Sequence, residues 1–282
     1  TTYYYLCVDS GEEGMRVAAQ ATLPVENATT VIAEFLDSQW HEAELFSPYS
    51  IGVNWYGESV TSQNPELTMD FVFPNLVTDR NLRVKVEVLG RNKKGAVHYN
   101  LRVSDNLLVD NGSINSVQNQ QHHYGFPAIT ERQIVLDSDT AHFSLSLGSN
   151  SESATVYLDY IELYGWRQLK RVGDNFLFRL LPSQFGHGES AVWIQNVGSN
   201  HWLWEVTNPL QPALQEGRLS AGNLVFATDE KAERRYVLFD PNQARSVESW
   251  KAIPNQDLHA IIDADMLIIT APQLWGPAQE LA

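Results

Sequence analysis

Cysteine is nearly absent from the sequence: Cys7 is the only one among 282 residues. A lone cysteine can form neither an intramolecular disulfide nor a zinc site made of thiolates, because both need more than one. Cys7 lies between Leu6 and Val8 in a strand-like stretch, where a small thiol packs as a hydrophobic side chain. A nucleophilic thiol needs a helix N-terminus or a neighbouring histidine to lower its pKa. We therefore predict that Cys7 is structural.

Basic residues are also scarce, since 19 lysines and arginines face 34 aspartates and glutamates, which gives a formal net charge of -15. A surface of this sign disfavours nucleic acid and anionic membranes as the main partners. No apolar run in the sequence approaches the roughly 20 residues that span a bilayer. The hydrophobic fraction of 43% is nevertheless ample for folded cores, and the length predicts two domains.

The two ends of the sequence indicate a piece of a longer protein. The first residues form a strand-like stretch without the features of a signal peptide. The last residues, 279–282, are helix-like and contain no helix stop signal. We therefore expect an excised segment.

The first part of the chain has a strand periodicity. Val84, Val86 and Val88 alternate with charged residues, and a period of two places the valines on one face of a strand. The same alternation recurs at residues 98–103, 142–147 and 155–164, separated by turn-forming clusters that include a predicted tight turn at residues 110–112. The pattern predicts an antiparallel, jelly-roll-like β-sandwich over residues 1–167.

The rest of the chain is divided by its pattern into two further segments. Short strand-like runs bounded by Gly, Asn or Pro predict a smaller β-rich domain over residues 168–252. The apolar run at 265–270 is typical of a strand buried on both faces, and a helix-like stretch containing Pro277 follows. Residues 253–282 are therefore predicted to begin a truncated α/β domain. The predicted fold class is mainly β, with the first βα unit of an α/β domain at the end.

Metal sites have little support in the sequence. No His-Glu-x-x-His pattern occurs, and His122 and His123, being adjacent, would point in opposite directions on a strand. Oxygen-rich turns could hold calcium, although Asp and Asn are also ordinary turn formers. We expect no cofactor other than this calcium, for which the candidate ligands are Asp105, Asn106, Asp110, Asn111, Asp137, Ser138 and Asp139.

Tryptophan is plentiful, with eight residues, and raises the question of an aromatic binding surface. Trp193 and Trp204 are expected in the core, because large aromatic residues fill sandwich interiors. The candidates for a surface or docking role are Trp40, Trp55, Tyr56 and Trp202. Exposed coplanar aromatics would also suit a carbohydrate-binding module, which is the alternative function.

Several short stretches, in their order and spacing, resemble one family. Residues 253–260, followed by 265–270 and 279–282, are similar to the start of its catalytic domain, and similar stretches precede them at 40–42, 55–58, 158–163, 192–193 and 204–209. The family is that of the gingipain-like (C25-type) cysteine peptidases that act as sortases of the type IX secretion system. The resemblance runs over most of the chain.

The resemblance implies β-domains ahead of a caspase-like α/β domain in a cell-surface, outer-membrane-associated endopeptidase. A His-Cys pair cleaves the substrate in that family, and no position here matches the catalytic motif, so we expect the dyad beyond residue 282. The implied function is a non-catalytic scaffold or docking region of an enzyme that processes C-terminal sorting signals. The implied partners are its own downstream catalytic domain, secreted substrate proteins and other secretion-system components.

Overall fold

The computed structural model describes residues 16–48, 54–117, 123–148, 153–229, 231–246, 249–252 and 266–281. The prediction of a mainly β fold with antiparallel sheets is confirmed. The chain forms two compact units, Thr1–Gln243 and Ala244–Ala282, and Cys7 lies outside the described residues.

The strands of the first unit are β1 (Ala18–Gln20), β2 (Thr30–Ile32), β3 (Glu34–Glu42), β4 (Ser59–Thr61), β5 (Glu66–Val72), β6 (Leu82–Arg91), β7 (Val97–Val103), β8 (Asn106–Ile114), β9 (Phe126–Ile134), β10 (Thr140–Leu147), β11 (Thr155–Gln168), β12 (Asn175–Leu180), β13 (Ser190–Gln195), β14 (Trp202–Glu205), β15 (Ala213–Gln215), β16 (Arg218–Ser220), β17 (Asn223–Thr228) and β18 (Arg234–Phe239).

A first β-sandwich is built from two sheets with strand orders β3-β11-β6-β9 and β5-β10-β7-β8, and β4 also pairs with β11. Val84, Val86 and Val88 are buried in a core to which both sheets contribute. The alternation in the sequence therefore predicts the inner face of β6 correctly. Burial of apolar surface of this kind stabilises the sandwich by roughly 25 cal/mol per Å².

The predicted tight turn at residues 110–112 is wrong. Asn111 lies inside β8 with a left-handed φ of 47°, and the pairing of β7 with β8 is irregular in this region. The turn between these strands is formed instead by Ser104 and Asp105, because Val103 pairs with Asn106. An Asn-Gly pair tolerates positive φ, so it fits an irregular position within a strand as well as a turn.

A second sandwich contains the sheets β1-β15-β14-β18-β12 and β16-β17-β13-β2. Its core includes Phe178, Phe226 and Tyr236. Strands β1 and β2 precede the first sandwich in the sequence but pair in parallel with β15 and β13. Sequence alone assigned residues 18–32 to the domain ending at 167, whereas β1 and β2 pair with strands that begin at residue 190 or later. The boundaries at 167 and 252 otherwise stay predictions.

Arg167 stands where β11 passes from the first core to the second. Its side chain is buried, its Nη1 donates to Asp37 Oδ2 at 2.7 Å, and its Nε donates to the Pro74 carbonyl at 2.7 Å. The guanidinium also lies 5.2 Å and 6.0 Å from the ring centroids of Phe35 and Phe176, which belong to the second core. One buried cation therefore joins both sandwiches.

The second unit contains the helix α1 (Trp275–Leu281), preceded by a 3-10 turn at Pro272–Leu274. The helix predicted near the end of the sequence is thus present. The predicted strand over 265–270 is not formed: residues 266–270 have no regular secondary structure, and Leu267 and Ile269 are exposed. A strand buried on both faces needs neighbouring strands at both edges, and the caspase-like unit is not confirmed.

Candidate docking surface

The outer face of the sheet β3-β11-β6-β9 presents aromatic rings covered by cations and is here called the cation-covered face. Inward positions of β11 hold core residues such as Leu163, and the outward positions hold rings and charges. Cations that stack on such rings contribute about 0.5–1 kcal/mol at exposed sites. The pairs, with distances from cation to ring centroid, are Lys85–Tyr160 at 4.9 Å, Arg83–Tyr164 at 5.3 Å and Arg80–Trp166 at 4.4 Å.

The face ends in a concave region of about 650 Å³, here called the junction depression. Arg80, Arg83, Tyr164 and Trp166 line it from the first sandwich, and Arg179 on β12 lines it from the second. Leu36 and the amide side chains of Asn81 and Gln133 complete the lining. The junction depression therefore brings together three guanidinium groups and two aromatic rings from both sandwiches.

The three arginines differ in how their charges are compensated. Arg80 pairs with Glu34 at 2.8 Å and Arg83 pairs with Glu131 at 2.8 Å, both at partly exposed positions. Surface ion pairs of this kind contribute only about 0–1 kcal/mol. Arg179 is half-buried and has no ion pair with any residue that the structure describes. Among the described residues, Arg179 thus lacks a counterion, whereas the counterions of Arg80 and Arg83 are partly exposed to solvent.

The other end of the same face is acidic. The pairing of β11 with β6 is irregular between Leu158 and Tyr160, so Asp159 is the extra residue of a bulge. Burial, reinforced by the carboxylates of Glu87 and Glu42, raises the pKa of Asp159 to about 6. The face thus runs from a cluster of carboxylates to a cluster of guanidinium groups.

The raised pKa of Asp159 predicts a pH-dependent stability. Between about pH 4 and pH 6 the folded chain retains a proton that the unfolded chain, with a pKa of about 3.9, has released. The ionised side chain therefore lowers the free energy of unfolding as the pH rises through this window. Asp159→Asn should make the chain more stable by only about 1 kcal/mol at pH 7.5, since solvent screens a partly exposed carboxylate. The gain should be smaller at pH 4.5, because Asp159 is then largely protonated in the folded chain.

Urea unfolding at pH 4.5 and pH 7.5 measures this difference. Asp137→Asn, at an exposed aspartate, is the matched control and should change neither value by more than about 0.5 kcal/mol. Equal effects of the two substitutions at pH 7.5 would contradict the prediction that ionised Asp159 lowers the free energy of unfolding.

The four predicted surface aromatics have different environments. Trp40, which is 70% exposed, lies on β3 opposite Glu162 on the cation-covered face. Trp55 and Trp202 are 44% and 46% exposed. Tyr56 is only 7% exposed because its ring packs near Tyr157. The structure thus leaves three of the four rings accessible, and their docking role stays a prediction.

Trp202 lies beside a second surface, an apolar row on the outer face of the sheet β1-β15-β14-β18-β12, two residues before Trp204 on β14. The expected core position of Trp193 is wrong, since it is 42% exposed, and Trp204 is only partly buried. Trp204 packs edge-on against Phe239, with 5.1 Å between the ring centroids. The register places the row on four neighbouring strands, at Leu177, Val237, Trp204 and Leu214.

Two of the calcium ligands predicted from sequence form hydrogen bonds with backbone groups of the fold. Asp139 accepts the backbone N–H groups of Asn75 and Leu76 at 2.8 and 3.0 Å, and the Asn106 side chain donates to the Val135 carbonyl. Within the described ranges, no group of three or more His, Cys, Asp or Glu side chains is arranged to hold a metal ion. Calcium binding stays a prediction.

Two further sequence expectations concern histidine and the membrane. His123 packs against the ring of Phe126, with centroids 5.3 Å apart, and His122 lies outside the described residues. Among the helices that the structure describes, none has the length and apolar character needed to cross a bilayer.

Sequence reasoning did not find the junction depression. The alternation of valines and charges already places Arg83 on the outer face of its strand, which is the one available signal. Arg179 lies on a strand of another sheet, and nothing in its local sequence indicates that it meets Arg83.

Comparison with known proteins supports the fold. No family model and no curated protein sequence matches the chain. Two carbohydrate-binding modules match with low TM-scores. A CBM36 module in complex with calcium and xylotriose has a TM-score of 0.29 and 18% sequence identity, and the match covers 44% of this chain and 98% of the module. The CBM36-1 domain of a multidomain xylanase from the hindgut metagenome of Trinervitermes trinervoides has a TM-score of 0.28 and 12% identity, and the match covers 45% of this chain and 96% of the domain. These matches carry no argument for carbohydrate binding, and the alternative is not favoured.

Dimeric latent PorU from Porphyromonas gingivalis is similar to this chain with a TM-score of 0.70 and 18% sequence identity. The match covers 86% of this chain and 24% of the PorU chain, so the chain spans about a quarter of the length of that protein. At this identity the likeness concerns the fold. The chain therefore has a PorU-like fold over most of its length.

Proposed function

We propose that this chain is the non-catalytic, β-rich region of a cell-surface cysteine endopeptidase that resembles the type IX secretion sortase. The observation that carries the proposal is the agreement in fold with PorU over 86% of the chain. In this role the chain positions the catalytic domain and docks secreted substrate proteins, or other secretion-system components, at the outer membrane. The parent enzyme processes the C-terminal sorting signals of its substrates.

Two exposed surfaces support a scaffold and docking role. The cation-covered face ends in the junction depression, and the apolar row crosses the second sandwich. In the apolar row Leu177 is exposed and Val237, Trp204 and Leu214 are half-buried. Contiguous apolar residues that reach the surface in this way usually mark contact sites in folded proteins. We assign the apolar row to contact with an adjoining domain of the same protein and the cation-covered face to a separate partner.

Peptidase activity tests the proposal. The 282-residue chain should cleave no peptide, and thiol-dependent cleavage should require the domain that follows it in the full-length protein. Thiol-dependent cleavage by the chain itself would overturn the proposed function, because Cys7 would then be a nucleophile.

A further inference from the structure

We propose that the junction depression binds an acidic peptide segment. Its carboxylates would pair with the guanidinium groups of Arg80, Arg83 and Arg179, and its apolar side chains would lie against Trp166 and Tyr164. The inference rests on the proposed docking role in one respect, since it names the chemistry of the docked partner. Its physical basis is independent of the catalytic domain.

Charge is the first argument for an anionic ligand. The chain has a net charge of -15, yet three arginines converge in one depression whose lining contains no Asp or Glu. Glu34 and Glu131 neutralise two of the arginines through ion pairs that remain partly exposed to solvent. A half-buried guanidinium such as Arg179 loses hydration, and a carboxylate partner offsets that cost.

The orientation of the arginines is the second argument. The guanidinium groups of Arg80 and Arg83 lie over the rings of Trp166 and Tyr164, at 4.4 Å and 5.3 Å from the ring centroids. A guanidinium has five N–H donors, and the pairs with Glu34 and Glu131 engage Nη2 of Arg80 and Nε of Arg83. The remaining donors can bind a carboxylate. The rings thus hold the guanidinium groups in place before the ligand arrives, which reduces the entropy cost of binding.

The size and shape of the depression favour a peptide over a single small acid. A volume of about 650 Å³ is in the range of sites that hold several connected groups. A lone carboxylate would engage one arginine and leave the accessible parts of the half-buried Trp166 and Tyr164 side chains without a contact. A short segment with carboxylates on either side of an apolar residue would contact the arginines of both sandwiches together with Trp166.

The overall charge favours a short acidic peptide over nucleic acid. A long polyanion extends over the surrounding acidic surface and is repelled by it. A peptide with three carboxylates interacts mainly with charges within the Debye length, about 8 Å at physiological ionic strength. The depression therefore selects for local negative charge.

Fluorescence anisotropy with a labelled six-residue peptide tests the inference on the complete 282-residue chain. The probe carries three glutamates and two phenylalanines, and its control peptide has glutamine in place of every glutamate. The acidic peptide should bind at least tenfold more tightly than the amide peptide in 50 mM NaCl. The difference should shrink in 300 mM NaCl, because salt screens charge-assisted contacts.

Arg179→Gln should weaken binding of the acidic peptide about tenfold. Arg218→Gln is the matched control, since Arg218 is exposed on β16 and does not line the depression, and it should leave the affinity unchanged. Thermal unfolding confirms that both variants are folded. If Arg179→Gln does not fold, Arg83→Gln replaces it, with the same loss expected.

Three results would overturn the inference. These are equal binding of the acidic and amide peptides, equal effects of Arg179→Gln and Arg218→Gln, and tighter binding of a single-stranded oligothymidine with the same dependence on Arg179. The proposed function fails on a different result, peptidase activity of the chain itself. If the chain neither binds the acidic peptide nor cleaves peptides, the inference about an acidic ligand fails and the proposed scaffold role stands.

Discussion

Replacing Arg167 with alanine is expected to lower the free energy of unfolding by about 3–5 kcal/mol. The substitution leaves Asp37 without its cation and the Pro74 carbonyl without its Arg167 donor. It also opens a gap beside the ring of Phe35. Asp37 keeps the Ser38 N–H as a donor at 2.9 Å, but its side chain is only 25% exposed. Removing one member of a largely buried ion pair costs more than the pair contributes, because water replaces the lost cation only in part.

Urea unfolding followed by tryptophan fluorescence measures the effect. Arg102→Ala is the matched control, because Arg102 is exposed on β7, and it should change stability by less than about 0.5 kcal/mol. Combining Arg167→Met with Asp37→Leu should recover part of the loss, since neither side chain then carries an unpaired charge. A loss below about 1 kcal/mol for Arg167→Ala would show that Arg167 does not hold the sandwiches together.

Replacing Ile32 with alanine is expected to cost about 2–4 kcal/mol, because the lost methyl groups leave a cavity in a packed core. Ile32 is 3% exposed, lies on β2 and pairs with Val192 on β13. Val31, its neighbour, is 63% exposed, so Val31→Ala should change stability by less than about 0.5 kcal/mol.

Hydrogen exchange locates the loss within the chain. In Ile32→Ala, protection should fall in β13 and β17 of the second sandwich more than in β6 and β11 of the first. An effect confined to the first sandwich would contradict the parallel pairing of β2 with β13. Equal stabilities of Ile32→Ala and Val31→Ala would contradict the burial of Ile32.

The sequence predicted the inner faces of the strands well where the alternation was regular. The valines of β6 are buried as expected, because hydrophobic burial enforces a period of two on a half-buried strand. The phase changes in β11, where a strict alternation would place Tyr160 on the same face as Leu158. The bulge at Asp159 shifts the phase, so Ile161 and Leu163 point inward and Tyr160 does not.

Local sequence patterns do not predict which distant strands pair with each other. The short strand β2 carries too few residues to specify its partner, and it joins a strand about 160 positions away. The junction depression depends on the same kind of information, because Arg83 and Arg179 come from different sheets. The tryptophans illustrate a further limit: Trp193 is as apolar as a core residue, yet its position on β13 points it outward.

The central claim, that this chain supports catalysis without performing it, is tested most directly by thiol-dependent peptidase activity. The assay compares the full-length protein, the 282-residue chain and the chain with Cys7→Ala on the same peptide substrate, each with and without a thiol-alkylating reagent. We predict alkylation-sensitive cleavage by the full-length protein alone. Cleavage by the 282-residue chain that disappears on alkylation and in Cys7→Ala would contradict the account.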